Sequence, residues 1–173
     1  MSNVKTKLAL SAAVLSAVLA LGFSPDAAVI TKESEGRVHK VYIDPVGIRT
    51  VCDGHTQTGL VDGKRYTDAE CDVFAVGDFK AAVRVVDSCI TAPLNPNQKG
   101  ALVDFALNVG PGGRGVKDGL CYLKSGKRST ISRLFNERQY EQACREFPKW
   151  NLQKLRGIDI RRQKEMALCL KPI

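Results

Sequence analysis

Residues 33–56, ESEGRVHKVYIDPVGIRTVCDGHT, decide how this chain is read. Val38, Val41, Tyr42, Ile43, Val46, Ile48 and Val51 give residues 36–52 the β-branched and aromatic character of a hairpin. The sequence Asp44-Pro45-Val46-Gly47 has Asp first, Pro second and Gly fourth, the preferences of a type I turn. Ahead of the hairpin, Ile30 to Glu35 ends at Gly36, which predicts a helix-to-strand junction with Glu35 at its edge. Eight residues separate Glu35 from Asp44, and five separate Asp44 from Thr50.

Downstream the pattern becomes helical. Gly54, Gly59 and Asp62-Gly63 mark loops or short strands, and Thr67-Asp68-Ala69-Glu70 is a capping box that opens a helix running to about Asp87. Asn95-Pro96 opens another, with Asn as the cap and Pro in the first helical position. Leu102, Phe105, Ala106 and Val109 fall on one face of it, and Gly110-Pro111-Gly112-Gly113 ends it. Further helices are expected over 129–135, 140–147 and 158–170. A small β-part followed by many helices is an α+β arrangement.

Two carboxylates beside a cleft are what glycoside hydrolysis requires. One gives a proton to the leaving oxygen, and the other activates water or stabilises positive charge. Glu35 and Asp44 are the candidates, with Thr50 beside them. Each also has a plain structural reading: a solvated helix-end carboxylate, a turn-capping aspartate and a common strand residue.

The stretch resembles the phage-type lysozymes of glycoside hydrolase family 24. Their Glu-x8-Asp/Cys-x5-Thr motif sits in a frame matched here by Glu35-Gly36, Tyr42, Asp44, Gly47, Thr50, Gly54 and His55. Cys52 departs from it, standing where many members have Gly; members with Cys there often carry a matching YT-x-x-EC, as in Tyr66-Thr67 through Glu70-Cys71. The likeness continues through Asn97–Leu102, Phe105 to Gly110, Ser129-Thr130, Arg133, Asn136, Ala143-Cys144, Trp150, Arg161-Arg162, Glu165 and Cys169, covering about residues 30–170.

The resemblance implies a lysozyme-like fold, with a small β-hairpin or sheet lobe and a larger helical lobe. It implies Glu35 as general acid, its pKa raised by partial burial. Asp44 would then be the ionised group that positions water, and Thr50 a hydroxyl that holds it. An inverting reaction would set the carboxyl groups roughly 6.5–9.5 Å apart. His55 is expected to be structural, Trp150 to be core, and Arg161-Arg162 to be surface or ion-pair residues. The substrate implied is the glycan strands of peptidoglycan, cut between N-acetylmuramic acid and N-acetylglucosamine by a monomer during host lysis. A non-catalytic peptidoglycan-binding module and a lytic transglycosylase are the alternatives.

The net charge of +8 favours polyanionic partners without choosing among them. No nucleic-acid motif accompanies it, so nucleic acid is not expected. Only two histidines are present and no Cys/His cluster has zinc spacing, so neither a metal nor a cofactor is expected. The six cysteines, Cys52, Cys71, Cys89, Cys121, Cys144 and Cys169, read as three disulfides of an oxidising compartment, with fifteen pairings open. The resemblance implies Cys52–Cys71 and Cys144–Cys169, with Cys89–Cys121 as the remaining pair.

Lys5 and Lys7 precede an uncharged run from Leu8 to Pro25, 18 residues of which half are Ala, Ser or Gly. Such a run enters a bilayer but is weakly held there. It reads as a signal peptide ending near Asp26-Ala27-Ala28, or as an uncleaved signal-arrest-release segment of the kind some family members carry. The lysines ahead of it and Ser-Pro-Asp after it argue against a buried core helix. The expected organisation is therefore residues 1–28 as the export segment and 29–173 as the catalytic domain. The chain would be carried to the periplasm, held first at the inner membrane through residues 8–25.

Overall fold

The computed structural model describes residues 10–44, 47–56, 58–151 and 154–173. Lys5, Lys7, the start of the apolar run, and Pro45 and Val46 of the turn lie outside the described residues. Helices α1 (Ala12–Ala20) and α2 (Pro25–Glu35) lead into strands β1 (Val38–Ile43) and β2 (Arg49–Cys52). Then follow α3 (Asp68–Cys89), α4 (Pro96–Val109), α5 (Thr130–Asn136), α6 (Tyr140–Cys144), a 3-10 turn (Phe147–Lys149) and α7 (Arg156–Leu170).

The antiparallel pair β1–β2 holds Tyr42 opposite Thr50 and Ile43 opposite Arg49. Its register slips between Val38 and Tyr42. Val51, Cys52, Leu60, Tyr66 and Cys71 form a small core of its own beneath it. The second core is helical and much larger, gathering residues from every helix. Helix α3 belongs to both, through Cys71 at one end and Phe79, Val83 and Val86 further along. This one long helix therefore fixes the small lobe against the large one, and the candidate residues lie at their junction.

Local chemistry sets most element ends as expected. The Thr67–Glu70 capping box opens α3, and Asn95 caps α4 with Pro96 in the first turn. The helix expected over 140–147 is shorter. It stops at Cys144, and Pro148 lies in a separate 3-10 turn, because its ring cannot fit the interior of an α-helix. Disulfides join Cys52 to Cys71, Cys89 to Cys121 and Cys144 to Cys169. Cys52, the departure from the family's Gly, has φ +55°, a left-handed conformation costly to a side-chain-bearing residue. The bond to Cys71 accompanies that exception.

One expectation for residues 8–25, the case against a core helix, needs correction. The sequence argued against a core helix, yet α1 packs on α3 with Val14 and Val18 buried. Ser24-Pro25-Asp26, read as the end of an apolar run, is the start of α2: Ser24 Oγ accepts from the Asp26 N–H and Pro25 is the first helical residue. Phe23, between the two helices, is 2% exposed and meets Phe79 edge-on, ring centroids 5.6 Å apart. The Ser24 N–H donates to the Pro96 carbonyl and ties this corner to α4. The core thus runs without a break through position 28. Among the described residues no helix is long and apolar enough to cross a membrane.

Candidate active site

Glu35 is the last residue of α2, and Gly36 caps the helix with φ +68°. Its carboxylate is a third exposed and accepts a 2.5 Å bond from Arg161 Nη1 on α7. Burial alone, the environment expected from the sequence, is thus not what surrounds Glu35: a guanidinium holds it. Arg161 is itself 3% exposed and cannot wander. Its Nε and Nη2 each lie 3.0 Å from Asp104 of α4, a two-pronged contact that fixes the plane of the guanidinium. Thr31 Oγ1, one turn before Glu35 on α2, donates to Asp104 Oδ1 at 2.6 Å. Burial works against the Arg161 charge, but Asp104, then Glu35 and Glu165, outweigh it and leave its pKa above the ordinary value.

The pair Arg161-Arg162 is therefore buried rather than at the surface, and both members are ion-paired. Arg162 contacts Asn108 and Glu165 and stacks on Phe105, whose other neighbours include Trp150, edge-on at 5.1 Å. Glu165 is fully buried, with Oε2 lacking a hydrogen-bond partner. Burial, and then the nearby Asp104, push its carboxyl well above the usual range.

Asp44 starts the hairpin turn, where its Oδ1 accepts from the Ile48 N–H at 2.8 Å. The capping role weighed from the sequence is thus present. Thr50 is buried and donates to the Ile48 carbonyl at 3.1 Å. Tyr42, on β1, is the strand partner of Thr50. Burial first, then the negative charges of Glu35 and Asp44, raise its phenol pKa. Asp44 and Thr50 thus share the hairpin with Tyr42, and the cavity beside Glu35 is lined by none of these three.

The motif glycine and histidine are structural. A Cβ on Gly54 would lie 3.0 Å from Glu35 Oε2, and its φ of +87° further favours glycine. It sits in a tight loop closed by Val51 and His55, which exchange backbone bonds of 2.9 Å. His55 stacks on Phe74 and contacts Asp78 at 2.9 Å through Nδ1. Arg37, just past Glu35, gathers Asp53, Asp68 and Asp72, joining the start of β1 to α3. A cavity of about 230 Å³ opens beside Glu35, its lining including Gly54, Thr56, Ala75, Phe79 and Leu107. Leu10, Ser11 and Val14, from the start of α1, form part of its wall.

Sequence reasoning passed over Asp104 and Thr31 and undervalued Arg161. One signal was present. Asp104 interrupts the run Ala101-Leu102-Val103 and Phe105-Ala106, and a charge inside an apolar helix face needs a partner.

The sequence model of the phage lysozyme family matches residues 32–165. The chain belongs to the phage lysozyme family. It is a lysozyme-type glycoside hydrolase with a lysozyme-like α+β fold. Among similar proteins, the SAR-endolysin of Bacteriophage PS119 is 32% identical over 139 residues, covering 79% of this chain and 76% of its own. The muramidase domain of SpmX from Asticaccaulis excentricus superposes with a TM-score of 0.70 at 25% identity, over 87% of this chain and 98% of that one. The active form of P1 phage endolysin Lyz shares the fold, with a TM-score of 0.75 at 24% identity over 94% and 95% of the two chains.

Proposed function

We propose that this phage lysozyme cuts the β-1,4 bond between N-acetylmuramic acid and N-acetylglucosamine in peptidoglycan, as a monomer, with Glu35, Asp44 and Thr50. The observation that carries this is the place of Glu35 at the edge of the cavity, its Oε1 held by Arg161, with Asp44 and Thr50 on the hairpin that follows it. Arg161 engages Oε1 of Glu35, while Oε2 lies over Gly54, where no side chain intrudes. Oε2 is then the oxygen that carries the proton to the leaving sugar. Asp44, tethered by its own turn, presents its carboxylate to the attacking water. The Thr50 hydroxyl gives up its bond to Ile48 to hold that water.

Export follows the same reading. Residues 8–25 hold the chain at the inner membrane; on release residues 12–25 fold as α1 and the corner to α2, completing the helical core in the periplasm. The burial of Val14, Val18 and Phe23 supports this order, because a chain beginning near residue 29 lacks all three.

Turbidity of outer-membrane-permeabilised cells tests the chemistry. Wild type clears the suspension, and Glu35→Gln does not; equal clearing by both rejects the assignment. Reducing muramic ends on the cut strands mark hydrolysis, and anhydro ends mark a transglycosylase instead. N-terminal sequencing of the released protein tests the export scheme, since a start near Val29 contradicts it.

A further inference from the structure

The segment between α4 and α5, residues 110–129, carries Arg114, Lys117, Lys124, Lys127 and Arg128 against a single carboxylate, Asp118. All six are exposed. Asp118 is already engaged, its Oδ1 accepting the Lys124 N–H at 2.6 Å. Arg128 donates to the Cys89 carbonyl and lies over the Tyr122 ring. Among the described residues, Arg114, Lys117, Lys124 and Lys127 form no ion pair. Some surface cations elsewhere do, as Arg133 with Glu137, Arg145 with Glu141 and Lys164 with Glu33.

These charges sit on a stiff support. The Cys89–Cys121 disulfide anchors the segment to α3, and Leu120 and Cys121 are buried beneath it. Gly115 donates to the Lys124 carbonyl, Gly113 to Lys117 and Leu123 to Lys127. A Cβ on Gly126 would come within 2.9 Å of Arg114 Nε, so the Arg114 side chain lies across that glycine. Arg114 therefore shares one surface with the cations around position 126. Ordering cost is already met by the fold, which favours binding.

The segment also starts close to the cavity wall. Leu107 of α4 lines the cavity beside Glu35. Gly110 lies three residues further along, and three residues of helix rise about 4.5 Å. The Lys117 ammonium sits over that helix end, 3.6 Å from where a Gly110 Cβ would stand. A bilayer fits this surface less well, since insertion needs a continuous apolar face. Here the exposed apolar side chains are Val116, between Gly115 and Lys117, and Tyr122, whose ring lies under Arg128.

We propose that residues 114–127 form a cationic lip of the cleft that receives the carboxylates of the peptides borne by the glycan substrate. The lip would favour native, acidic peptidoglycan over the same glycan made neutral. This rests on the muramidase reading, and its test separates the two.

Sacculi are prepared in native form and with their carboxyl groups capped as methylamides. At low salt, wild type should show a kcat/KM on native sacculi about tenfold that on capped ones. Added salt should erase the difference. The variant R114Q/K117Q/K124Q/K127Q should bring the native-to-capped ratio close to one, its melting temperature reporting that it is folded. A preference that survives in this variant, or its absence in wild type at low salt, overturns the proposal. So does loss of binding to phosphatidylglycerol vesicles by the variant with the sacculus preference intact, which would make the partner a bilayer. Glu35→Gln should still bind native sacculi in preference to capped ones, and equal binding to both overturns the lip. Turnover by that variant refutes the catalytic assignment alone.

Discussion

Phe23 offers the sharpest test of whether the export segment belongs to the folded enzyme. Its side chain is 2% exposed, at the corner between α1 and α2, and packs edge-on against Phe79 of α3. Phe23→Ala removes a buried ring and leaves a cavity that α3 and α4, both held at their own contacts, cannot close. The expected loss is about 3–5 kcal/mol. In a chain of this size that lowers the melting temperature by roughly 6–20 °C. Leu19→Ala, on the same helix but 60% exposed, should change stability by no more than about 0.5 kcal/mol. Urea unfolding of the purified, released proteins, followed by far-UV circular dichroism, reads both. The paired design matters, because a generic effect of altering the apolar run would appear in each. If the segment were cleaved near residue 28, neither substitution would survive into the mature protein. Both curves would then overlay wild type. A loss below about 1 kcal/mol for Phe23→Ala would refute the argument that α1 and its corner complete the core.

Removing Arg161 should be costly in a different way. Arg161→Met leaves Asp104 buried without its guanidinium, and a loss of about 3–5 kcal/mol in unfolding free energy is expected. The double change Asp104→Leu with Arg161→Met should recover a large part of that stability but not the activity, since Glu35 still lacks its partner. Glu165 predicts a pH dependence. Its pKa is raised in the folded state, so stability from the protonated form is complete below the unfolded value of 4.5 and is lost as pH rises through the folded one. Glu165→Gln, always neutral, should gain on wild type with rising pH above 4.5 in urea titrations. A wild type that gains on Gln over that range would mean that Glu165 is ionised against Arg162. At Gly54, an alanine Cβ would press on Glu35 Oε2 in a left-handed backbone. Gly54→Ala should lower the turbidity-clearing rate tenfold or more (about 1.4 kcal/mol of barrier) while costing about 1–2 kcal/mol of stability. An unchanged clearing rate would mean that Oε2 is not the working oxygen.

Much of the molecule could be read from local sequence, and for local reasons. The hairpin over residues 36–52, the Thr67–Glu70 capping box and the Asn95-Pro96 helix start depend on neighbours a few positions away. So do the end of α4 at Gly110 and the place of Glu35 at a helix edge. The interval from Glu35 through Asp44 to Thr50 lies within one helix end and one hairpin. Its register along the chain is therefore enough to suggest the pair of carboxylates.

What tertiary structure alone decided involves partners far apart in the chain. The run from Leu8 to Pro25 is apolar enough for a bilayer or for a protein core, and its composition is the same in both. Only the apolar face of α3, some 55 residues on, makes a packed place for Val14, Val18 and Phe23. Arg161-Arg162 reads as a surface or ion-pair element because arginine is usually solvated. Its burial depends on acceptors from α2, α4 and α7 converging, with Glu35 and Arg161 separated by 126 positions. Position 52 carries Cys in a left-handed backbone, which sequence could flag as a departure but not locate in conformational space. Periodicity and caps are short-range properties and survive in the bare sequence. The surroundings of Glu35 are a long-range property, and exist only once three helices have met.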